Sequence, residues 1–184
     1  MLLKKSYDYF KTLKDLSGCI GRVYCSADRP DLYKKDMLFY NSIRKELSLR
    51  LSEEFVAPIE RNDIYSLSSL LSCEIDVIDY ICHLVYQVDL HESDEELSSF
   101  FIVQGDFLYD LSNRKSYSNI LNEIYDIQSC IRIKRRALWD GYKTTLVNNG
   151  NALLRYVYFD KTIELIDCLS RSFGEIERVV INNL

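Results

Sequence analysis

Apolar side chains recur every three to four residues along most of this chain, a period that predicts helices and not strands. A first helix is expected from about Leu3 to Ala27, carried by Tyr7, Phe10, Leu13, Leu16, Ile20 and Val23, and ended by Asp28-Arg29-Pro30-Asp31. A second runs from about Leu32 to Glu54 on Tyr40, Ile43, Leu47 and Leu51, and stops before Pro58. The third starts near Asn62, a candidate N-cap, and continues to about Leu90. Its stripe of Ile64, Leu67, Leu71, Ile75, Ile78, Cys82 and Val85 is close to a heptad.

Ser93-Asp94-Glu95-Glu96 reads as a capping box, in which the Ser93 hydroxyl and Glu96 carboxylate satisfy free amides. It opens a fourth helix that extends to about Leu111 through Leu97, Phe101, Phe107 and Leu108. After the turn Asn113-Arg114-Lys115-Ser116, the fifth runs from about Ser118 to Leu146 on Leu121, Ile124, Ile127, Ile131 and Leu138. Asn148-Asn149-Gly150-Asn151 is the strongest turn signal, because Asn and Gly tolerate positive φ. The sixth helix spans about Ala152 to Asn182, with Ile163, Ile166, Phe173, Ile176 and Val180 facing inward. The expected fold class is all-α: six long helices forming two antiparallel three-helix bundles, residues 1–90 and 91–184, packed as one compact unit.

Composition agrees with that reading. The 184 residues include only 2 Pro and 6 Gly, too few breakers for many short strands. A hydrophobic content of 47% beside 28% charged residues fits a folded chain and argues against disorder. The 14 tyrosines suit half-buried helix faces, where the ring packs and the hydroxyl reaches water. A net charge of −5 makes nucleic acid a poor partner. No apolar run approaches the roughly 18 residues that cross a bilayer. Met1-Leu2-Leu3-Lys4-Lys5 leads into polar residues without a signal-peptide core, so a cytoplasmic location is expected.

The six cysteines include no Cys-x-x-Cys pair. Cys19, Cys73, Cys82, Cys130 and Cys168 fall in apolar-periodic segments and read as reduced, mostly buried thiols. Asp76, Asp79 and His83 share one face of the third helix, as a three-ligand metal site, an acid/base pair or a solvated face. Arg132, Lys134, Arg135 and Arg136 form the densest basic cluster, suited to an anion or an acidic partner loop, or to an outer face paired with Asp140. Gly18 and Gly21 each cost the first helix about 1 kcal/mol relative to Ala, so they mark a close helix approach or a kink. Trp139 is expected in the core or at a bundle end. No phosphate loop, nucleophile elbow or Cys/His arrangement is present, so no enzyme activity and no cofactor are expected.

The junction Phe55-Val56-Ala57-Pro58-Ile59-Glu60-Arg61-Asn62-Asp63-Ile64-Tyr65-Ser66-Leu67 resembles one in bacterial phosphate transport regulators distantly related to PhoU. There, Phe-x-x-Pro-x-acid-Arg-x-Asp-Ile precedes a long helix, and Pro58, Arg61, Asp63 and Ile64 fall in register with it. Lys161-Thr162-Ile163-Glu164-Leu165-Ile166 extends the likeness to the last helix. The resemblance implies a cytoplasmic, all-helical regulator of phosphate uptake that contacts a membrane phosphate permease or a signalling kinase; the tyrosine-rich faces separately suggest self-association. Pro58 sets the corner, and Asp63 favours the positive end of the helix dipole.

Several members of that family hold metal clusters on Glu/Asp-x-x-x-Asp motifs. Here the matching positions are Met37 and Asn41, Ser72 and Asp76, the acid-free stretch from Ile127 to Arg132, and Asp167 with Arg171. A multinuclear metal site is therefore not expected: Asp76 and Asp167 are the acids left at those positions, and with Asp79 and His83 they are the remaining metal candidates. Arg132, Arg135 and Arg136 are the candidate anion or partner contacts. Two other functions stay open: a metal-cluster protein like the better-endowed relatives, and a helical adaptor unrelated to phosphate.

Overall fold

The helical period becomes six α-helices in the computed structural model, which describes residues 7–53, 59–88, 95–145 and 152–184. They are α1 (Tyr9–Cys25), α2 (Pro30–Glu53), α3 (Arg61–Val88), α4 (Glu95–Asp110), α5 (Tyr117–Thr145) and α6 (Ala152–Asn183), with one 3-10 turn at Arg114–Ser116. The fold is all-α, and no strand occurs among the described residues. No described helix is long and apolar enough to cross a membrane.

Local chemistry explains the helix ends. Asp8 caps α1, its carboxylate accepting from the Lys11 amide at 2.9 Å. At the other end, the Arg29 guanidinium donates to the Cys25 carbonyl at 2.9 Å. Pro30 then opens α2, where the sequence placed the start at Leu32. Proline suits the first helical position because the N–H it lacks would have no intrahelical partner there. Helix α3 likewise begins at Arg61, one residue before the expected cap Asn62; the Glu60 carbonyl accepts from the amides of Asp63 and Ile64 at 3.0 and 3.3 Å. Pro58, Ser93 and the Asn148–Asn151 turn lie outside the described residues. Glu96, the other half of the expected capping box, accepts from Lys134 of α5 at 2.9 Å.

Side-chain pairs along neighbouring helices run in opposite order, which sets antiparallel partners. Lys14 meets Asp106 and Gly21 meets Phe101, so α1 and α4 are antiparallel. Asp63 meets Arg178 and Cys73 meets Cys168, so α3 and α6 are too. Helix α2 lies along α1 through Tyr9–Arg50 and Arg22–Asp36, and α5 along α6 through Gln128–Glu177 and Arg135–Asp167.

The most extensive pairings, α1 with α4 and α3 with α6, join residues 1–90 to residues 91–184. Contacts of α1 with α3 and of α4 with α6 close these helices into a ring, with α2 outside α1 and α5 outside α6. One apolar cluster fills the ring, including Leu13, Leu16, Ile20, Leu71, Ile78, Phe101, Leu108, Leu169, Phe173 and Ile176. The inward stripes expected of α3 and α6 are buried throughout, whereas α2 fully buries only Tyr40 and Leu47.

The two glycines of α1 have different surroundings. A Cβ on Gly21 would stand 3.2 Å from the Phe101 Cβ, so that glycine permits the close approach of α1 to α4. On Gly18 it would meet only the end of the Arg22 side chain, at 3.8 Å.

Candidate functional site

Each helix of the ring carries a polar residue where its apolar stripe calls for another hydrophobe. On α3 the buried register runs Leu67, Leu71, Glu74, Ile78, Ile81 and Val85; on α4 it runs Leu97, Phe101, Gln104 and Leu108. Ser17 holds the equivalent place between Leu13 and Ile20 on α1, and Ser172 between Leu169 and Ile176 on α6. All four side chains are buried, and they meet in one layer.

Glu74 is the centre of that layer. Its Oε1 accepts from Gln104 Nε2 at 2.7 Å and from Ser172 Oγ at 2.5 Å. Gln104 faces Ser17 with its other end: Ser17 Oγ lies 2.6 Å from Gln104 Oε1 and 2.7 Å from the Phe101 carbonyl. The single hydroxyl proton of Ser17 serves one of those acceptors at a time. The second carboxyl oxygen, Glu74 Oε2, is buried without a hydrogen-bond partner. A buried orphan of this kind costs on the order of 1–3 kcal/mol, more when charged.

Burial pushes the Glu74 carboxyl up to about 7, from an ordinary value of 4.5. The hydrogen bonds from Ser172 and Gln104 and the nearby charge of Arg171 oppose that rise without cancelling it. Near neutral pH, Glu74 therefore divides between its acid and ionised forms. The layer can take up or release a proton, and Glu74 lines none of the surface grooves beside Phe39, Asp76 or Arg132.

The metal and anion candidates singled out from sequence lie elsewhere, at the surface. His83 is exposed, with Nδ1 at 2.7 Å from the Asp79 carbonyl oxygen and 3.7 Å from its carboxylate, and its ring stands edge-on to Tyr33. Asp76 instead borders an open groove of about 480 Å³ with Arg44, Cys73, Tyr80 and Lys161. Among the described residues, no group of three His, Cys, Asp or Glu side chains is placed to hold a metal ion.

Asp167, a metal candidate, and Arg135, an anion candidate, pair with each other at 2.8 and 3.2 Å. Arg132 and Arg136 border a second groove of about 370 Å³ beside Arg135, Trp139 and Asp140, and Arg132 donates to Ser129 Oγ at 2.9 Å. Trp139 is 40% exposed there and is not a core residue, because α5 turns little of its length inward. Cys130 is exposed as well, against the expectation of a buried thiol.

Asp63 has more to do than face a helix dipole. It is buried at the start of α3 and accepts from Arg178 Nη2 of α6 at 2.6 Å. Arg178 also grips Glu175 through two contacts of 2.8 Å, and holds its carboxyl below the ordinary range. Arg61 is exposed in the first turn of α3.

The polar layer left a trace in the sequence. Glu74, three residues after Leu71 and four before Ile78, occupies a core position of the stripe, but its apolar neighbour Ile75 also fits the period and masks it. No protein-family model matches this chain, and no curated protein matches it significantly.

Proposed function

We propose that this protein is a non-enzymatic regulator that acts by contact with a partner, within the control of inorganic phosphate uptake or signalling. The observation that carries the contact mechanism is the placement of Glu74: the one strongly perturbed carboxyl among the described residues sits enclosed among α1, α3, α4 and α6. Its side chain has no solvent exposure, and any shift of those four helices changes its environment. Chemistry placed in this way reports on packing and does not turn over a ligand.

The outer surface supports the same reading. Phe39, Ile102 and Gly18 border a groove of about 450 Å³ between α1, α2 and α4, with Lys14, Arg22 and Asp106 around it. Phe39 is 49% and Ile102 63% exposed, so apolar contact area is on offer there next to charges of both signs. The direction toward phosphate, and toward a permease or sensor kinase as partner, comes from the junction at residues 55–67. Within that junction, Asp63 has a defined task in tying α3 to α6.

Affinity purification of the tagged full-length chain from its native host, with phosphate uptake measured in a deletion strain, tests the proposal. Recovery of a phosphate permease or sensor kinase, together with altered uptake, is the expected result. Recovery of neither, with uptake unchanged, contradicts it.

A further inference from the structure

Cys73 of α3 and Cys168 of α6 bring their sulfurs to 3.2 Å. It is the sole sulfur–sulfur contact among the described residues. The two cysteines are unequal. Cys168 is fully enclosed, while Cys73 is half-buried and borders the 480 Å³ groove that opens to solvent. A guanidinium faces both: Arg171 Nη2 lies 3.1 Å from Cys168 Sγ and 3.8 Å from Cys73 Sγ. A disulfide holds its sulfurs about 2.05 Å apart, so the pair needs to close by only about 1 Å.

We propose that Cys73 and Cys168 form a reversible dithiol oxidised by hydrogen peroxide, with Cys73 as the attacked, accessible thiol and Cys168 as the resolving one. In the first step the Cys73 sulfur attacks a peroxide oxygen from the groove. An S–O bond forms, the O–O bond breaks, and the departing hydroxide takes the thiol proton as water. In the second step the Cys168 sulfur attacks the Cys73 sulfenic acid; the S–S bond forms, the S–O bond breaks, and hydroxide leaves with the Cys168 proton as a second water. In total the two thiols lose two protons and two electrons, and one peroxide becomes two waters.

Arg171 is the positioning residue of the second step. Burial pushes the Cys168 thiol up to about 12, with Cys73 adding to the rise, and Arg171 is the group that opposes it. The guanidinium thus favours a developing thiolate at the moment Cys168 must attack. The product would tie α3 to α6 covalently. Cys73 and Glu74 are adjacent in the chain, as are Arg171 and Ser172, so the link would form directly beside the polar layer.

The test uses the reduced full-length chain, exposed to hydrogen peroxide, alkylated, and read by intact mass and peptide mapping. The expected product has lost two hydrogens, contains a Cys73–Cys168 cross-link, and returns to the dithiol with dithiothreitol. Cys168→Ser should stop at a Cys73 sulfenic acid that dimedone traps. Arg171→Met should slow cross-linking about tenfold and let that sulfenic acid accumulate, with Arg171→Lys restoring most of the rate. Oxidation of the folded native chain at other cysteines, or at Cys73 alone without the cross-link, overturns the proposal. So does a native chain whose mass is unchanged by peroxide.

Discussion

Arg178 of α6 reaches Asp63 of α3 at 2.6 Å, and the two members of this pair differ in exposure: the Asp63 side chain is 5% exposed and that of Arg178 45%. The arginine therefore keeps part of its hydration while neutralising a carboxylate that has almost none. Arg178→Met strands Asp63 and releases Glu175, and should cost about 2 kcal/mol in urea unfolding at neutral pH. Asp63→Asn keeps an acceptor and leaves Arg178 on Glu175, so it should cost about 1 kcal/mol. Glu175 adds an acid-side signature. Its carboxyl is held below 4.5 in the fold, so its contribution is present above that value and fades as pH falls. Arg178→Met should flatten that acid limb.

The two glycines of α1 give a contrast within a single helix. Gly18→Ala gains helix propensity and meets only a movable arginine tip, so it should stabilise the protein by about 1 kcal/mol. Gly21→Ala makes the same gain but drives a methyl to 3.2 Å from the Phe101 Cβ at the α1–α4 contact. It should show no gain, and Gly21→Val should be destabilising by about 2 kcal/mol, as overpacking is. Urea midpoints of the three variants read this directly.

Trp139 is the only tryptophan, so its emission reports on the arginine groove alone. Its partial exposure predicts a red-shifted native maximum and ready quenching by acrylamide. A blue-shifted, unquenchable signal would place the ring in the core.

Helix identity was legible because six stripes repeat at helical pitch and nothing in the chain competes with that period. The α3 stripe from Ile64 to Val85 and the α6 stripe from Ile163 to Val180 are buried as their spacing predicts. Partner choice was less legible: periodicity says which face of α1 is apolar, not that the face meets α4. The Gly21–Phe101 contact and the Lys14–Asp106 pair decide that, and each depends on residues some eighty or more positions apart. The same distance hid Cys73 and Cys168, whose positions carry no motif and whose approach follows only from the antiparallel course of α3 and α6. Glu74, Gln104, Ser17 and Ser172 were hidden for another reason. Each looks like one polar residue in a tolerant helix until the four are seen at one level, where every hydrogen bond is interhelical.

The sealed carboxyl at the centre of the ring is tested most directly by folding stability against pH, comparing the native chain with Glu74→Gln. In the fold Glu74 titrates near 7, above its unfolded value of 4.5, so the native state binds the proton more tightly. The resulting stability is complete below the unfolded value and is lost as pH rises through the folded one. Urea unfolding of the native chain should therefore lose on the order of 2 kcal/mol between pH 5 and pH 8, and Glu74→Gln should remove most of that slope. Equal slopes for the two proteins would contradict the account, because they would mean that Glu74 meets water in the folded chain as freely as in the unfolded one.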